Sequence, residues 1–519
     1  MTTPRLMSAA AARWPDECAL YEDGTRLTYA ELDACRWRAS RALIGAGINA
    51  GDRVAIWAPN MHEWVVAALA IHSAGAILVP VNTRMRGSEA GDILAASGAR
   101  LLFCVGDFLD QYYPDLLNGF RPATLEKIVL LGKARQAPDT QDWQTFLQLA
   151  DQASEQQARE RADAVLPEDV SDVMFTSGTT GRPKGVMSGH GQNLRVIAEW
   201  GKAVGLAPGE RYLIVSPFFH AFGYKAGWLA ALMYGVTIVP HLVFDVDAIL
   251  ARIANERIQV LPGPPTLYYS MLAHPQLAEY DLSSLRAAIT GAATIPPVLI
   301  ERMRAILGFK TVLTGYGLTE SCGIATLCQA DDDAEIIATT CGRALPGIEI
   351  RCVDERGYPV PRGTAGEVLL RGYNVMQGYL NDPDATREAI DSCGWLHTGD
   401  VGVLDERGYL RITDRLKDMY ISGGFNCYPA EIERLLSAHP AIAQVAVVGV
   451  PDERMGEVGK ACVVLRADAS VSAAELTAWA RSQMSNYKVP RSIEFLPALP
   501  QSASGKVLKY KLRNELNAI

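Results

Sequence analysis

Several things are missing from this 519-residue chain, and each absence removes a class of protein. The ten cysteines form no C-x-x-C pair, which argues against a zinc ribbon or a dithiol redox site and leaves a disulfide framework without support. They read as small, buried apolar residues of a cytoplasmic protein. No apolar run is long enough to span a bilayer. The longest, Trp64 to Val81, is broken by His72, Ser73, Gly75 and Pro80 and reads as helix, turn and strand. The opening Met1-Thr2-Thr3-Pro4-Arg5 leads into an alanine-rich helix interrupted by Arg13, unlike the apolar core of a signal peptide. Basic excess is absent too. The net charge is −9, so no global field draws nucleic acid or an anionic membrane, and any anionic ligand needs local cations. There is no internal repeat, no low-complexity tract and no G-x-x-x-x-G-K-[ST] phosphate loop.

What is present is ordinary globular composition, 49% apolar and 21% charged, on a chain too long for one core. Two or more domains are expected. Arg53–Trp57, Ala76–Pro80 and Leu101–Val105 read as strands, with helices at Met61–Ile71, after Asn60, and Gly87–Ala96. That βαβ rhythm predicts a mainly parallel sheet. It resumes with strands at Tyr212–Val215, Val236–Val239, Ile258–Leu261, Arg286–Thr290 and Thr311–Thr314. From about 340 to 415 short alternating runs between Gly and Pro predict antiparallel β, a small barrel. The last hundred residues read as a separate α+β unit, joined through the charged run Asp414-Arg415-Leu416-Lys417-Asp418. The expected fold is therefore α/β. Residues 1–415 form a large domain of stacked, mainly parallel α/β parts plus the barrel. Residues 416–519 form a smaller mobile domain.

The chemistry concentrates in a few short segments. After the apolar run Asp172-Val173-Met174-Phe175 come Thr176-Ser177-Gly178-Thr179-Thr180-Gly181-Arg182-Pro183-Lys184-Gly185. Glycines let the backbone approach an anion, hydroxyls and N–H groups donate to it, and the lysine adds a point charge. Alone these features give an anion site, spaced differently from the common phosphate loop, with a polar hairpin turn as the bland reading. Thr314-Gly315-Tyr316-Gly317-Leu318-Thr319-Glu320 follows a strand at its C-terminal end, where open α/β sheets bind ligands. Tyr316 can stack on a base, Thr319 can donate to phosphate and Glu320 can hold Mg²⁺. Trp395-Leu396-His397-Thr398-Gly399-Asp400 supplies an acceptor for ribose hydroxyls, and Ser502-Ala503-Ser504-Gly505-Lys506 ends in a lysine. Taken singly, Tyr316 could be core, Asp400 a turn residue and Lys506 a solvated charge.

In this order and spacing the segments resemble the adenylate-forming superfamily of acyl-CoA ligases, luciferases and peptide-synthetase adenylation domains, over nearly the whole chain. The resemblance implies ATP, Mg²⁺ and coenzyme A as cofactors and co-substrates. Thr176, Ser177, Gly178, Thr179, Thr180, Gly181 and Lys184 would hold the β- and γ-phosphates. Gly291, Ala292 and Ala293 would line adenine and the acyl channel. Tyr316 and Gly317 would pack on adenine, and Thr319 would contact the α-phosphate. Glu320 and Thr176 would bind the metal. Asp400 and Arg415 would take the ribose, Lys506 would bridge carboxylate and α-phosphate, and Lys417 would be the hinge between half-reactions. Lys506, Thr319, Glu320 and Lys184 are thus the expected catalytic set.

No acidic residue stands in Pro217 to Lys225 to pair a substrate ammonium, which argues against amino-acid activation. Ser422, Gly423 and Gly424 resemble the segment beside the pantetheine tunnel of CoA ligases, with Arg454, Tyr487 and Arg491 as candidates for the CoA nucleotide. His220, Phe222, Tyr224, Lys225, Gly291, Gly315, Gly317 and Gly323 are the expected acyl pocket. Phe218 to Gly227, Leu261 to Thr266, Asp281 to Arg286 and Asp414 to Phe425 resemble the ligase subgroup acting on a methyl-dioxo-octahydroindenyl propanoate, the acid left once steroid rings A and B are removed. Tyr224 and Lys225 are candidates to hydrogen-bond a ring ketone; the bland alternative puts Tyr224 in the core and Lys225 in solvent. A medium-chain, aryl or alicyclic acid is the alternative substrate. A luciferase-like monooxygenase and a ligase-derived binding protein are remoter readings. The resemblance also allows a homodimer and a lysine acetylase acting on Lys506.

Overall fold

In the computed structural model the described residues are all but 134, 136, 177–182, 292–294, 416–417, 423–424, 428, 453–454, 485, 487, 502–506 and 515–519. Side chains at 414, 415, 421, 425, 426, 431, 456, 510 and 514 are also outside the description. The chain forms two compact units. One is Met1–Glu349 with Leu370–Leu396, the other Ile350–Leu369 with His397–Ile519.

The first unit is built on an eight-stranded sheet. Its order is Gly378–Tyr379, Lys184–Gly189, Val170–Thr176, Ile77–Pro80, Arg53–Trp57, Leu101–Val105, Lys127–Leu131 and Thr140–Asp142. The strands from Val170 onward in that order pair in parallel. Leu101–Val105 is buried at every position, as a strand covered by helices on both faces must be. The two strands at the other edge run antiparallel. A second sheet orders Arg211–Ile214, Thr237–Pro240, Cys18–Glu22 and Thr25–Thr28, and a third Ala287–Thr290, Thr311–Tyr316, Thr326–Leu327 and Arg343–Ala344. Val260 bridges Tyr212 on one side and Ala287 on the other. The expected strand Ile258–Leu261 is reduced to this bridge, because Pro262 and Pro264 lack the N–H groups that would extend a ladder.

An aromatic group fills the space between the helix His62–Ser73 and the segment after Ser216. Trp64 meets Phe218 edge-on at 5.4 Å and Trp228 at 5.9 Å, while Tyr224 stacks on Trp228 at 5.0 Å. Tyr224, Trp228 and Trp64 are fully buried. Tyr224–Leu229 is a π-helical turn that ends in regular helix at Ala230–Tyr234. Asn60 does not cap the following helix, whose N-cap is Met61. Its amide instead donates to the carbonyls of Ile214 and Ser216, both at 3.0 Å, and accepts from Phe218 N–H at 2.7 Å.

The second unit carries a four-stranded sheet in the order Ile348–Val353, Ala365–Gly372, Leu396–Leu404, Leu410–Arg415. The antiparallel β expected over 340–415 is present in this sheet. A five-stranded sheet follows, in which Ile442–Asp452 and Gly456–Leu465 form a long antiparallel pair and Ser492–Phe495 joins in parallel. Helices Pro429–Ser437 and Ala473–Gln483 cover it, burying Tyr420, Ile432, Leu436, Val447, Val463 and Leu476. No helix among the described residues is long and apolar enough to cross a membrane, and none of the ten cysteines, all described, forms a disulfide.

Candidate active site

Strand Val170–Thr176 and strand Lys184–Gly189 are paired in register, Thr176 facing Lys184 across the ladder. The segment between them, residues 177–182, lies outside the described residues, so the expected contacts of Ser177, Gly178, Thr179, Thr180 and Gly181 do too. Its two ends are described: Thr176 reaches Glu320, and Lys184 reaches the ring of Tyr379. Glu320 sits in the 3₁₀ turn Thr319–Ser321, which follows the strand Thr311–Tyr316. Its Oε1 accepts from Thr176 Oγ1 at 3.5 Å and from the Tyr379 hydroxyl at 3.1 Å. The Lys184 ammonium stands 5.0 Å from the centre of the Tyr379 ring, close enough for a cation–π contact.

A hydroxyl and a carboxylate oxygen side by side are the hard ligand type a small divalent cation takes. Thr176 and Glu320 therefore fit the metal expected of them. Tyr379 was not among the expected residues. It reaches the site because Gly378–Tyr379 pairs with Val186 and Met187 as an edge strand, a relation between distant segments that local spacing does not carry. Burial and the neighbouring Glu320 charge push the Tyr379 phenol above its ordinary pKa, so it stays a donor throughout the neutral range.

The walls of the expected acyl pocket are close-packed backbone. A Cβ on Gly317 would stand 2.3 Å from Gly323 O and 2.6 Å from Ile324 Cα, and one on Gly315 2.7 Å from Thr326 O. Gly323 has φ +96° and already faces the Ala221 methyl. The chain thus brings residues 221, 317 and 323 together. Gly291 approaches Gly315 O; Ala292 and Ala293 lie outside the described residues. His220 packs its ring on Phe219 at 4.7 Å. Burial, and then the Arg84 charge, hold its pKa down at about 4, so it is neutral at pH 7. Phe222 is half-buried beside it.

Lys225 meets neither of its two expectations. Its side chain is 2% exposed, and its ammonium is held 3.1 Å from Asp172 Oδ1 and 3.1 Å from Ser188 Oγ. A cation committed to a buried carboxylate is not available to a ring ketone, and it does not face solvent. Tyr224 is core, with its hydroxyl 3.4 Å from His72 Nε2.

The remaining expected residues fall in separate places. Tyr316 and Thr319 lie on either side of Gly317, half-buried. Asp400, in the second unit, is 4% exposed, with its N–H donating to Thr398 Oγ1 and its backbone opposite Arg415. Ser422 is buried in strand Tyr420–Ser422, and Arg491 is exposed with its N–H on Gly459 O. The Arg415 side chain and Lys417, Gly423, Gly424, Arg454, Tyr487 and Lys506 lie outside the described residues.

Thr176 and Lys184 at one end of the eight-stranded sheet, with Glu320 beside Thr176, form a hydroxyl, cation and carboxylate group of the kind nucleotide-binding enzymes use. Residues 7–380 match the AMP-binding enzyme family and residues 431–506 its C-terminal domain; the chain belongs to the AMP-binding enzyme family. Among curated relatives it is 48% identical to the 3-[(3aS,4S,7aS)-7a-methyl-1,5-dioxo-octahydro-1H-inden-4-yl]propanoyl:CoA ligase of Rhodococcus jostii, over 99% of this chain and 98% of that one. It is 49% identical to the ligase of the same name from Mycobacterium tuberculosis, with the same coverage. Among solved structures, the anthranilate CoA ligase AuaEII in complex with anthranoyl-AMP superposes with a TM-score of 0.88 at 27% identity, covering 100% of this chain and 97% of that one.

Proposed function

We propose that this chain is a Mg-ATP-dependent, AMP-forming acid–thiol ligase that converts a fused-ring propanoate, of the methyl-dioxo-octahydroindenyl type, to its CoA thioester. The observation that carries the reaction is the contact of Thr176 and Tyr379 with Glu320, with Lys184 over the Tyr379 ring, at the two ends of the segment 177–182. Near 49% identity along 99% of the chain to ligases of that acid supports the substrate.

The reaction sets two anions against each other. A carboxylate oxygen must attack an α-phosphate, forming the acyl–phosphate bond and expelling pyrophosphate. Fixed donors and cations lower that repulsion where water is excluded. Lys184 and the loop hold the outgoing phosphates, and Thr319 holds the α-phosphate. A Mg²⁺ on Thr176 and Glu320 would neutralise phosphate charge. Lys506 is the proposed bridge between the two reacting groups. Neutral His220 shapes the pocket without adding charge, and no base is needed because the acid arrives ionised. Asp400 and Arg415 take the ribose. The thiol of CoA then displaces AMP. Ser422 to Gly424, with Arg454, Tyr487 and Arg491, are the proposed CoA contacts. The two departures and entries compete for one space, so a turn at Lys417, on a boundary at 415/416, separates them. That boundary concerns where the chain turns, not which residues pack into one compact unit. The cytoplasm is the proposed compartment.

The test is pyrophosphate release over a panel of acids with ATP, Mg²⁺ and CoA, with AMP and thioester measured in parallel. Equal amounts of the three products are expected, with the fused-ring propanoate turned over best. Absence of AMP rejects the reaction; a linear alkanoate or aryl acid turned over better rejects the substrate.

A further inference from the structure

We propose that Lys225 is a positioning residue that sets the acid-binding segment in register with the strand pair carrying the phosphate loop; this rests on the ligase reading above. Lys225 directly follows Pro217 to Tyr224, the segment with His220 and Phe222. Its partners lie on the two strands that flank residues 177–182. Asp172 is four residues before Thr176, and Ser188 is four residues after Lys184, opposite Asp172 in the ladder. Each is therefore about 14 Å along its strand from the phosphate end. One ammonium, 3.1 Å from both, spans the gap between two substrate sites.

The partners are themselves fixed. Asp172 Oδ2 accepts from Asn193 Nδ2 and Ser171 Oγ, both at 2.6 Å, and Asn193 lies on the helix His190–Val204. The π-helical turn beginning at Tyr224 buries two consecutive side chains, Tyr224 and Lys225. That widened turn lets the lysine follow a core tyrosine and still point inward. A buried ion pair adds little net stability over apolar residues of the same volume. What it fixes is which groups lie together, because separating the pair leaves a buried charge uncompensated.

The inference concerns one half-reaction. Adenylation needs the carboxylate and the α-phosphate, held by different segments, in line to within a fraction of an ångström. Thiolysis starts from an acyl-adenylate in which they are already bonded, so this registration no longer matters. The ratio of the two rates is also independent of how much protein is folded. The test measures adenylation of an indane propanoate by pyrophosphate exchange, and thiolysis by adding the preformed indane-propanoyl adenylate and CoA. The variants are Lys225→Met/Asp172→Leu, which replaces the pair by apolar groups, and the milder Ser188→Ala. The adenylation-to-thiolysis ratio is expected to fall at least about tenfold in the double variant and about threefold in Ser188→Ala, given how steeply rate depends on placement. A wild-type ratio in the double variant overturns the inference. If that variant does not accumulate, a wild-type ratio in Ser188→Ala overturns it. A wild-type protein that forms no acyl-adenylate from any acid would instead reject the ligase reading.

Discussion

Tyr379 offers a direct test of how Glu320, the proposed metal-binding carboxylate, is held. Its hydroxyl donates to Glu320 Oε1 at 3.1 Å, and its ring lies under the Lys184 ammonium. Tyr379→Phe removes the first contact and keeps the second. A hydrogen bond to a charged acceptor is worth about 1.5–3 kcal/mol. Part of that returns when water or Thr176 turns toward the freed oxygen, so about 1.4 kcal/mol of lost orientation is a reasonable net value, equivalent to tenfold. Outer contacts to metal ligands change metal affinity by about 10–100-fold, which agrees. The assay is pyrophosphate release at fixed Mg-ATP while free Mg²⁺ is varied. Tyr379→Phe should need about tenfold more Mg²⁺ for half-maximal rate, and its rate at saturating Mg²⁺ should return to near that of the wild type. Because the phenol pKa is raised, the difference should stay constant from pH 6 to 9. Tyr379→Leu should add a rise of about two- to fivefold in the KM for ATP, the worth of an exposed cation–π contact of about 0.5–1 kcal/mol. A Mg²⁺ titration of Tyr379→Phe within twofold of wild type would refute the orienting role.

Three further outcomes follow from distances already described. Gly317→Ala should destabilise the first unit by about 3 kcal/mol and abolish adenylation, because its Cβ would press on Gly323 and Ile324 backbone, which cannot swing aside; near-normal pyrophosphate exchange would contradict this. Asn60→Ala strips three hydrogen bonds from the segment Ile214 to Phe218, at about 2–4 kcal/mol, and should raise the KM for the acid far more than that for ATP. Acid should weaken the fold early. His72, buried, and His220, half-buried, both have pKa near 4, below the unfolded value of about 6.5, so the unfolded chain binds more protons between those limits and stability falls as pH drops through them. Each contributes a loss of roughly 3 kcal/mol by pH 4, and a thermal midpoint that does not change between pH 7.5 and 4.5 would refute it.

The fold was legible wherever a segment's neighbours are close in sequence. Arg53–Trp57 and Leu101–Val105 form at the predicted residues because a fully buried parallel strand is a short apolar run between turns. Gly87–Ser97 ends one residue beyond expectation, at Gly98 in the left-handed conformation. The reaction was legible for a related reason. Anion and metal chemistry needs small, hydrogen-bonding and charged residues packed into one loop, and such loops are visible in one dimension. What was hidden are the contacts between distant segments. Asn60 stands before a helix in the sequence, and its amide bonds Ile214, Ser216 and Phe218 in a distant segment. Lys225 looks like a ketone donor or a surface charge, since nothing near it in sequence is acidic. Only the pairing of strand Val170–Thr176 with Lys184–Gly189 brings Asp172 and Ser188 to one point. Tyr379 enters the site through an edge strand. The close approach of Gly317, Gly323 and Ala221 belongs with these, since it too is a relation between segments and not a property of any one of them.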